Sequence, residues 1–177
     1  MWRWPAFVLG VLALLAASAS DAGCPIARSR YKMVHDKQLS AGFYPKKVYP
    51  YSSTDLAGFI HSSNSHQIYW FYFESGSAPY VNIYSTTSLL DRNWRPPDPD
   101  NLGKDKHDGP LSGMTIMFAD RTYLFTIDTP HRRSTRPEYL LVRELPAVLA
   151  ADGTPPEHPP LDFFKFDHCA APGALDF

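Results

Sequence analysis

The chain has 177 residues, with 17 lysines and arginines against 18 aspartates and glutamates, a formal charge of −1 at neutral pH. That balance excludes nucleic acid as a partner, because a phosphate backbone is held by a concentrated basic face. At 44% hydrophobic and 14% aromatic residues the chain has the material for one packed domain.

Residues 1–19 read as a secretory signal peptide. Arg3 supplies the positive start, Ala6 to Ala17 an unbroken apolar run, and Ala17-Ser18-Ala19 the small-residue cleavage pattern. The run is shorter than the roughly 20 apolar residues of a bilayer crossing, and nothing downstream is long and apolar enough to replace it. The expected product is a secreted, extracellular protein beginning after Ala19 or Ala22, with no membrane span. Cys24 and Cys169 are the only cysteines, and in an oxidising compartment such a pair bonds. The bond would frame a single β-rich domain at 24–169, followed by a mobile tail at 170–177. A staple between the ends favours a closed architecture, since barrels and propellers bring first and last strands side by side.

In chain order, a short first strand fits between Cys24 and Lys37. Ala41 to Tyr51 is aromatic but punctuated by Pro45 and Pro50, which confines it to an edge or a loop. Leu56 to Tyr84 is the densest aromatic and β-branched stretch, and it reads as strand, polar corner at Ser62 to Ser65, strand, corner at Ser75 to Ser77, strand. Ile68 to Phe73 is apolar on both faces and is expected to be covered on both. Thr86 to Pro110, broken by Pro96, Pro97 and Pro99, is a long surface loop. Strands follow at Met114 to Phe118, Thr122 to Ile127 and Tyr139 to Val142, with a basic loop from His131 to Arg136. Glu144 to Ala151 is the one short helix, closed by Asp152-Gly153. Phe163 to Phe166 is the last apolar segment. The fold class is therefore all-β, a small closed architecture of propeller-like blades or a barrel.

Leu56-Ala57-Gly58 before Tyr69-Trp70-Phe71 is echoed by Leu111-Ser112-Gly113 before Tyr123-Leu124-Phe125, at a spacing in the range of structural repeats. These passages resemble hemopexin-type repeats, which implies propeller blades closed by a disulfide and a non-enzymatic module that binds extracellular proteins or haem. The third-strand Trp-Arg of that family is here Val81-Asn82-Ile83. The chain also resembles a lipocalin-type barrel, with Gly42-Phe43-Tyr44 where that family has Gly-x-Trp, which implies a carrier of a small apolar ligand. Ile68 to Ser75 is similar to the opening sheet of serine carboxypeptidases. Here the following strand leads into Ser85-Thr86-Thr87-Ser88 rather than a Gly-Gly-Pro-Gly oxyanion turn, and no Gly-x-Ser-x-Gly elbow occurs.

Nothing in the pattern supplies an activated nucleophile, so the chain reads as a non-enzyme with no catalytic residues. Seven histidines occur without zinc spacing, so no metal site is expected; were haem or a metal held, His61, His66, His107 and His131 are placed better than His35. Asp167-His168 and His107-Asp108 are neighbours that alternate across an extended segment and so form no dyad. Trp70, Phe71, Phe73 and Phe125 are assigned to the core. Tyr80, Tyr84 and Trp94, with Arg132 and Arg133 of the basic loop, are the candidate binding residues. The resulting expectation is a monomeric binding protein without a cofactor, taking an extracellular protein or, alternatively, a small apolar ligand or haem.

Overall fold

The computed structural model describes residues 23–47, 52–74, 80–84, 112–151 and 163–176. The expected signal peptide, Trp94, His107, His158 and the loop around Pro96 to Pro99 lie outside them. The described strands are β1 (Ser29–Met33), β2 (Leu39–Tyr44), β3 (Ser52–Ser62), β4 (Gln67–Glu74), β5 (Tyr80–Tyr84), β6 (Ser112–Ala119), β7 (Phe125–Thr126), β8 (Tyr139–Val142) and β9 (Phe163–Cys169), with one helix, α1 (Leu145–Ala151), between β8 and β9. Every pairing is antiparallel, and β1 closes on β9 while β5 closes on β6, so eight strands form a ring. The two-residue β7 hangs beside the end of β6. Of the two closed forms expected, the chain adopts the barrel, and the echoed Gly58 and Gly113 passages are hairpins of one continuous sheet.

Alternation sets the two faces. Tyr31, Met33, Phe43, Ile60, Tyr69, Phe71, Phe73, Val81, Ile83, Met114, Ile116, Phe118, Leu140 and Phe164 fill the lumen in one cluster. Phe43 of β2 reaches Phe118 of β6 across the ring, with centroids 6.2 Å apart, and also packs on Tyr31, Phe71 and Phe73. At that level the interior is side chain rather than cavity. Gly58 makes this packing feasible: it lies opposite Phe43 and Phe71, and the Phe71 ring occupies the space a side chain would take.

The outer face of β2 to β5 carries a second cluster of Ala57, Phe59, Trp70, Tyr72 and Tyr84. Both faces of β4 are covered, as its sequence implies, with Tyr69 to Phe73 all at most 2% exposed. One transverse row runs Arg30, Gly42, Phe59, Trp70, Tyr84 across five strands. Gly42 lets Arg30 and Phe59 meet over it, and the guanidinium carbon stands 5.2 Å from the Phe59 ring centroid.

Two boundaries differ from expectation. The stretch before Pro45 is a fully paired strand, β2, because the proline falls one residue beyond the ladder rather than within it. The expected strand from Thr122 to Ile127 shrinks to β7, since Tyr123 turns the backbone to φ 62° and breaks the extension.

The barrel has distinct ends. At one, α1 plugs the ring with Leu145 and Leu149. Its start is tied to β6 by Glu144, the residue before it, whose carboxylate accepts from the Thr115 N–H at 2.6 Å. The opposite end gathers the chain start, the segment 120–137 and the residues after β9. There the Cys24–Cys169 disulfide is formed, beside the β1–β9 seam. The segment after β9, expected to be mobile, is hydrogen-bonded to the barrel. The Ala170 N–H donates to the Arg28 carbonyl at 2.8 Å, and Arg30 donates to the Ala174 carbonyl at 2.8 Å and to the Asp176 carboxylate at 3.0 Å.

Candidate functional site

The 120–127 hairpin between β6 and β8 stands out at the end opposite α1. It opens with an Asp turn. The Asp120 carboxylate accepts from the Thr122 N–H and hydroxyl, both at 2.7 Å, and from the Leu124 N–H at 3.0 Å. The Asp120 N–H donates to the Leu124 carbonyl at 3.2 Å, closing the loop. The Thr122 hydroxyl, with the Leu124 and Thr122 N–H groups, holds the Asp120 carboxyl below the usual carboxylate range. Hydrogen bonds thus fix the tip, and Tyr123 keeps a left-handed conformation that costs a non-glycine residue on the order of 1 kcal/mol.

What the tip presents is apolar. Tyr123 is 58% exposed, Leu124 71%, Phe125 43% and Ile127 52%. Phe125, assigned to the core from its sequence, is therefore a surface residue: β7 lies outside the ring, so its side chain never reaches the lumen. The neighbouring strands extend the surface. Tyr123 stacks on Tyr139 of β8 at 4.9 Å, with their hydroxyls 3.3 Å apart, and Phe125 contacts Phe163 of β9 at 6.0 Å. The hydroxyl bond with Tyr123 raises the Tyr139 pKa, so the Tyr139 phenol stays neutral at physiological pH. Beneath Leu124 lies a concavity of about 390 Å³, whose wall includes Ile26, Phe118, Phe125, Pro130 and Pro137.

The basic loop lies at the same end. The Pro25–Thr135 bridge ties it to the chain start, and Asp55 accepts from both the Arg132 N–H and its Nε at 2.9 Å. Arg133 is exposed and faces a cleft beside the residues after β9. Among the other sequence candidates, Tyr84 is buried at 3% exposure and stacks on Tyr72 at 5.9 Å. Tyr80 pairs with Thr115 through the β5–β6 ladder. Sequence reasoning missed the tip because Tyr123, Phe125 and Ile127 alternate as a half-buried strand would; the readable sign was Asp120 two residues before Thr122.

Asp167 and His168, expected to point apart, bond to each other, His168 Nδ1 to Asp167 Oδ2 at 2.9 Å. The cause is a β-bulge: Arg30 pairs with His168 and Tyr31 with Phe166, which leaves Asp167 as the extra residue and turns it to the side of its neighbour. His168 Nε2 meets Asp176 at 3.3 Å, so both ring nitrogens face carboxylates and neither faces a nucleophile. No cluster of three or more potential metal ligands occurs among the described residues, and none of their helices is long and apolar enough to cross a membrane.

Fold and surface together define an eight-stranded antiparallel barrel with a filled interior and a rigid aromatic loop at the end opposite its helix. Comparison of the chain with protein-family models, curated proteins and solved structures finds no match.

Proposed function

We propose that this chain is an exported, non-catalytic binding module that engages a protein partner through its 120–127 tip and the adjoining Tyr139 and Phe163. The observation that carries the reading is the exposure of four consecutive-patch apolar side chains, Tyr123, Leu124, Phe125 and Ile127, on a loop fixed by hydrogen bonds. Folded monomers seldom leave such a patch to water unless a partner covers it. Rigid aromatic anchors next to a concavity also bind at a low cost in conformational entropy. The filled lumen, spanned by the Phe43–Phe118 contact, favours recognition on the outside over carriage within. Export agrees with a disulfide beside the barrel seam, a bond that lasts in oxidising compartments.

The test compares the wild-type chain with L124D/I127D and with N64D, which lies in the β3–β4 turn at the opposite end of the barrel. Each is immobilised and exposed to the extracellular fraction of its native source. A protein retained by wild type and N64D but released by L124D/I127D is the expected result. Equal retention by all three, or retention of nothing, refutes the reading. Both sites are exposed, so all three chains should unfold within about 0.5 kcal/mol of one another.

A further inference from the structure

The aromatic tip also carries an open sheet edge. β8 pairs with Phe118 and Ala119 from one side of β6 and β7 pairs with the same two residues from the other, so β7 ends the sheet there. The Asp120 N–H donates to the Leu124 carbonyl, which makes Ala119 and Phe125 a pair with no hydrogen bond between them. In such a pair each residue turns its own N–H and C=O away from the other strand. Phe125 therefore directs its backbone donor and acceptor outward, and among the described residues neither is hydrogen-bonded. Residues 121–128 are all exposed, so this edge faces water.

Proteins usually blunt such an edge with lysine, proline or a bulge. Here Thr122-Tyr123-Leu124-Phe125-Thr126-Ile127 holds no charge, no proline and no glycine, and consists almost wholly of residues that pair well in sheets. The Asp120 turn fixes the segment at its start. The charges around it are already paired, Arg121 and Arg136 with Glu138 and Arg132 with Asp55. An edge that is exposed, uncharged and pre-formed is a template for one more strand.

The extent of the surface limits what can supply that strand. Two folded proteins, or two copies of this chain, meet stably through about 20 to 30 residues a side. The exposed run 121–128, even with Tyr139 and Phe163 beside it, is far smaller and matches the footprint of one linear segment.

We infer that β7 is an acceptor edge for strand addition: a short, extended, uncharged segment of the partner pairs with the outward backbone of Phe125 and packs alternate apolar side chains beside Phe125 and Tyr123. The inference rests on the protein-binding reading and adds the conformation and chemistry of what is bound. Backbone pairing supplies affinity, and the alternating side chains supply selectivity.

A displayed library of short linear peptides, panned on the intact, oxidised chain, tests it, and the tightest peptide is then synthesised for titration. Enrichment on wild type but not on L124D/I127D is expected, with alternating apolar residues in the selected sequences. Phe125→Thr and Phe125→Pro both remove the ring, but only proline removes the outward N–H. The proline variant should bind the peptide about tenfold more weakly than the threonine variant, because a peptide carbonyl is left buried without a donor. Methylating alternate amide nitrogens of the peptide probes the same pairing with the chain unaltered, and it decides the matter if Phe125→Pro does not fold. Binding should be abolished by methyl groups in one phase and spared by them in the other. The inference is overturned if no peptide is enriched, if proline and threonine variants bind alike, or if methylation acts equally in both phases. A wild-type dimer in sedimentation that L124D/I127D loses would also overturn it, since the edge would then join two copies. The protein-binding reading fails separately, when the extracellular fraction yields no protein that depends on the tip.

Discussion

Gly58→Ala probes the inside of the barrel with the smallest available change. A Cβ at this position would meet three carbons of the Phe71 ring, the most distant of them at 2.7 Å. Carbon atoms in contact prefer about 3.5 to 4.0 Å, so the ring must retreat by about 1 Å or more. It has little room, because Phe43 stands 6.2 Å away on one side and Phe73 6.0 Å away on another, centroid to centroid. Overpacking of this kind costs about 3 kcal/mol. Replacing glycine also restricts the unfolded chain and returns about 0.4 to 1 kcal/mol. The net loss is then about 2 kcal/mol, or about 4 to 8 °C in Tm for a domain of this size. Urea unfolding followed by circular dichroism gives the number directly. The double variant G58A/F71A should be less destabilised than the sum of its single variants by about 1 kcal/mol or more, because the new methyl enters the space the ring leaves. A Gly58→Ala chain within 0.5 kcal/mol of wild type, or a strictly additive double variant, would mean that Gly58 does not face Phe71 across β3 and β4.

Removing the disulfide in C24S/C169S should cost about 5 kcal/mol, the loop entropy of a 145-residue separation; a loss under about 1 kcal/mol by urea unfolding would show that the unfolded chain is already confined. Acid should loosen the β9 side of the end opposite α1. Burial alone would raise Asp167 and Asp176, but hydrogen bonds from His168, with Lys32 for Asp167 and Arg30 for Asp176, outweigh it and hold both pKa values down. Depressed carboxylates contribute stability in full above their unfolded pKa of about 4, and lose it as pH falls through the lower folded values. Urea midpoints should therefore decline below pH about 4, with a shallower decline in Asp176→Asn; identical profiles for the two chains would remove Asp176 from the account.

Where the sequence carries periodicity, the fold could be read from it. Tyr69 to Phe73 announces a strand buried on both sides, Tyr139 to Val142 a strand, and Leu145–Ala151 the short helix, because in each the local pattern and the tertiary environment agree. Cys24 and Cys169 indicated closure, and the ring closes beside them. Barrel against propeller was not legible, since both bury one face of an alternating strand and differ in which strands become neighbours. The tip was not legible either. Tyr123, Phe125 and Ile127 have the alternation of a strand, and they are exposed because, among the described residues, β7 has no strand on its outer side. The docking of the residues after β9 depends on contacts between residues more than 100 positions apart, such as Arg28 with Ala170, which local pattern does not encode.

The seam between β1 and β9 also governs when this molecule can become itself. Its two halves are residues 29–33 and 163–169, so the ring has no means of shutting until β9 has been made. A product halted ahead of Phe163 would keep two raw margins, β1 and β8, each offering backbone donors and acceptors to any neighbour. Synthesis through β9 is thus what separates a self-contained ring from a sticky ribbon.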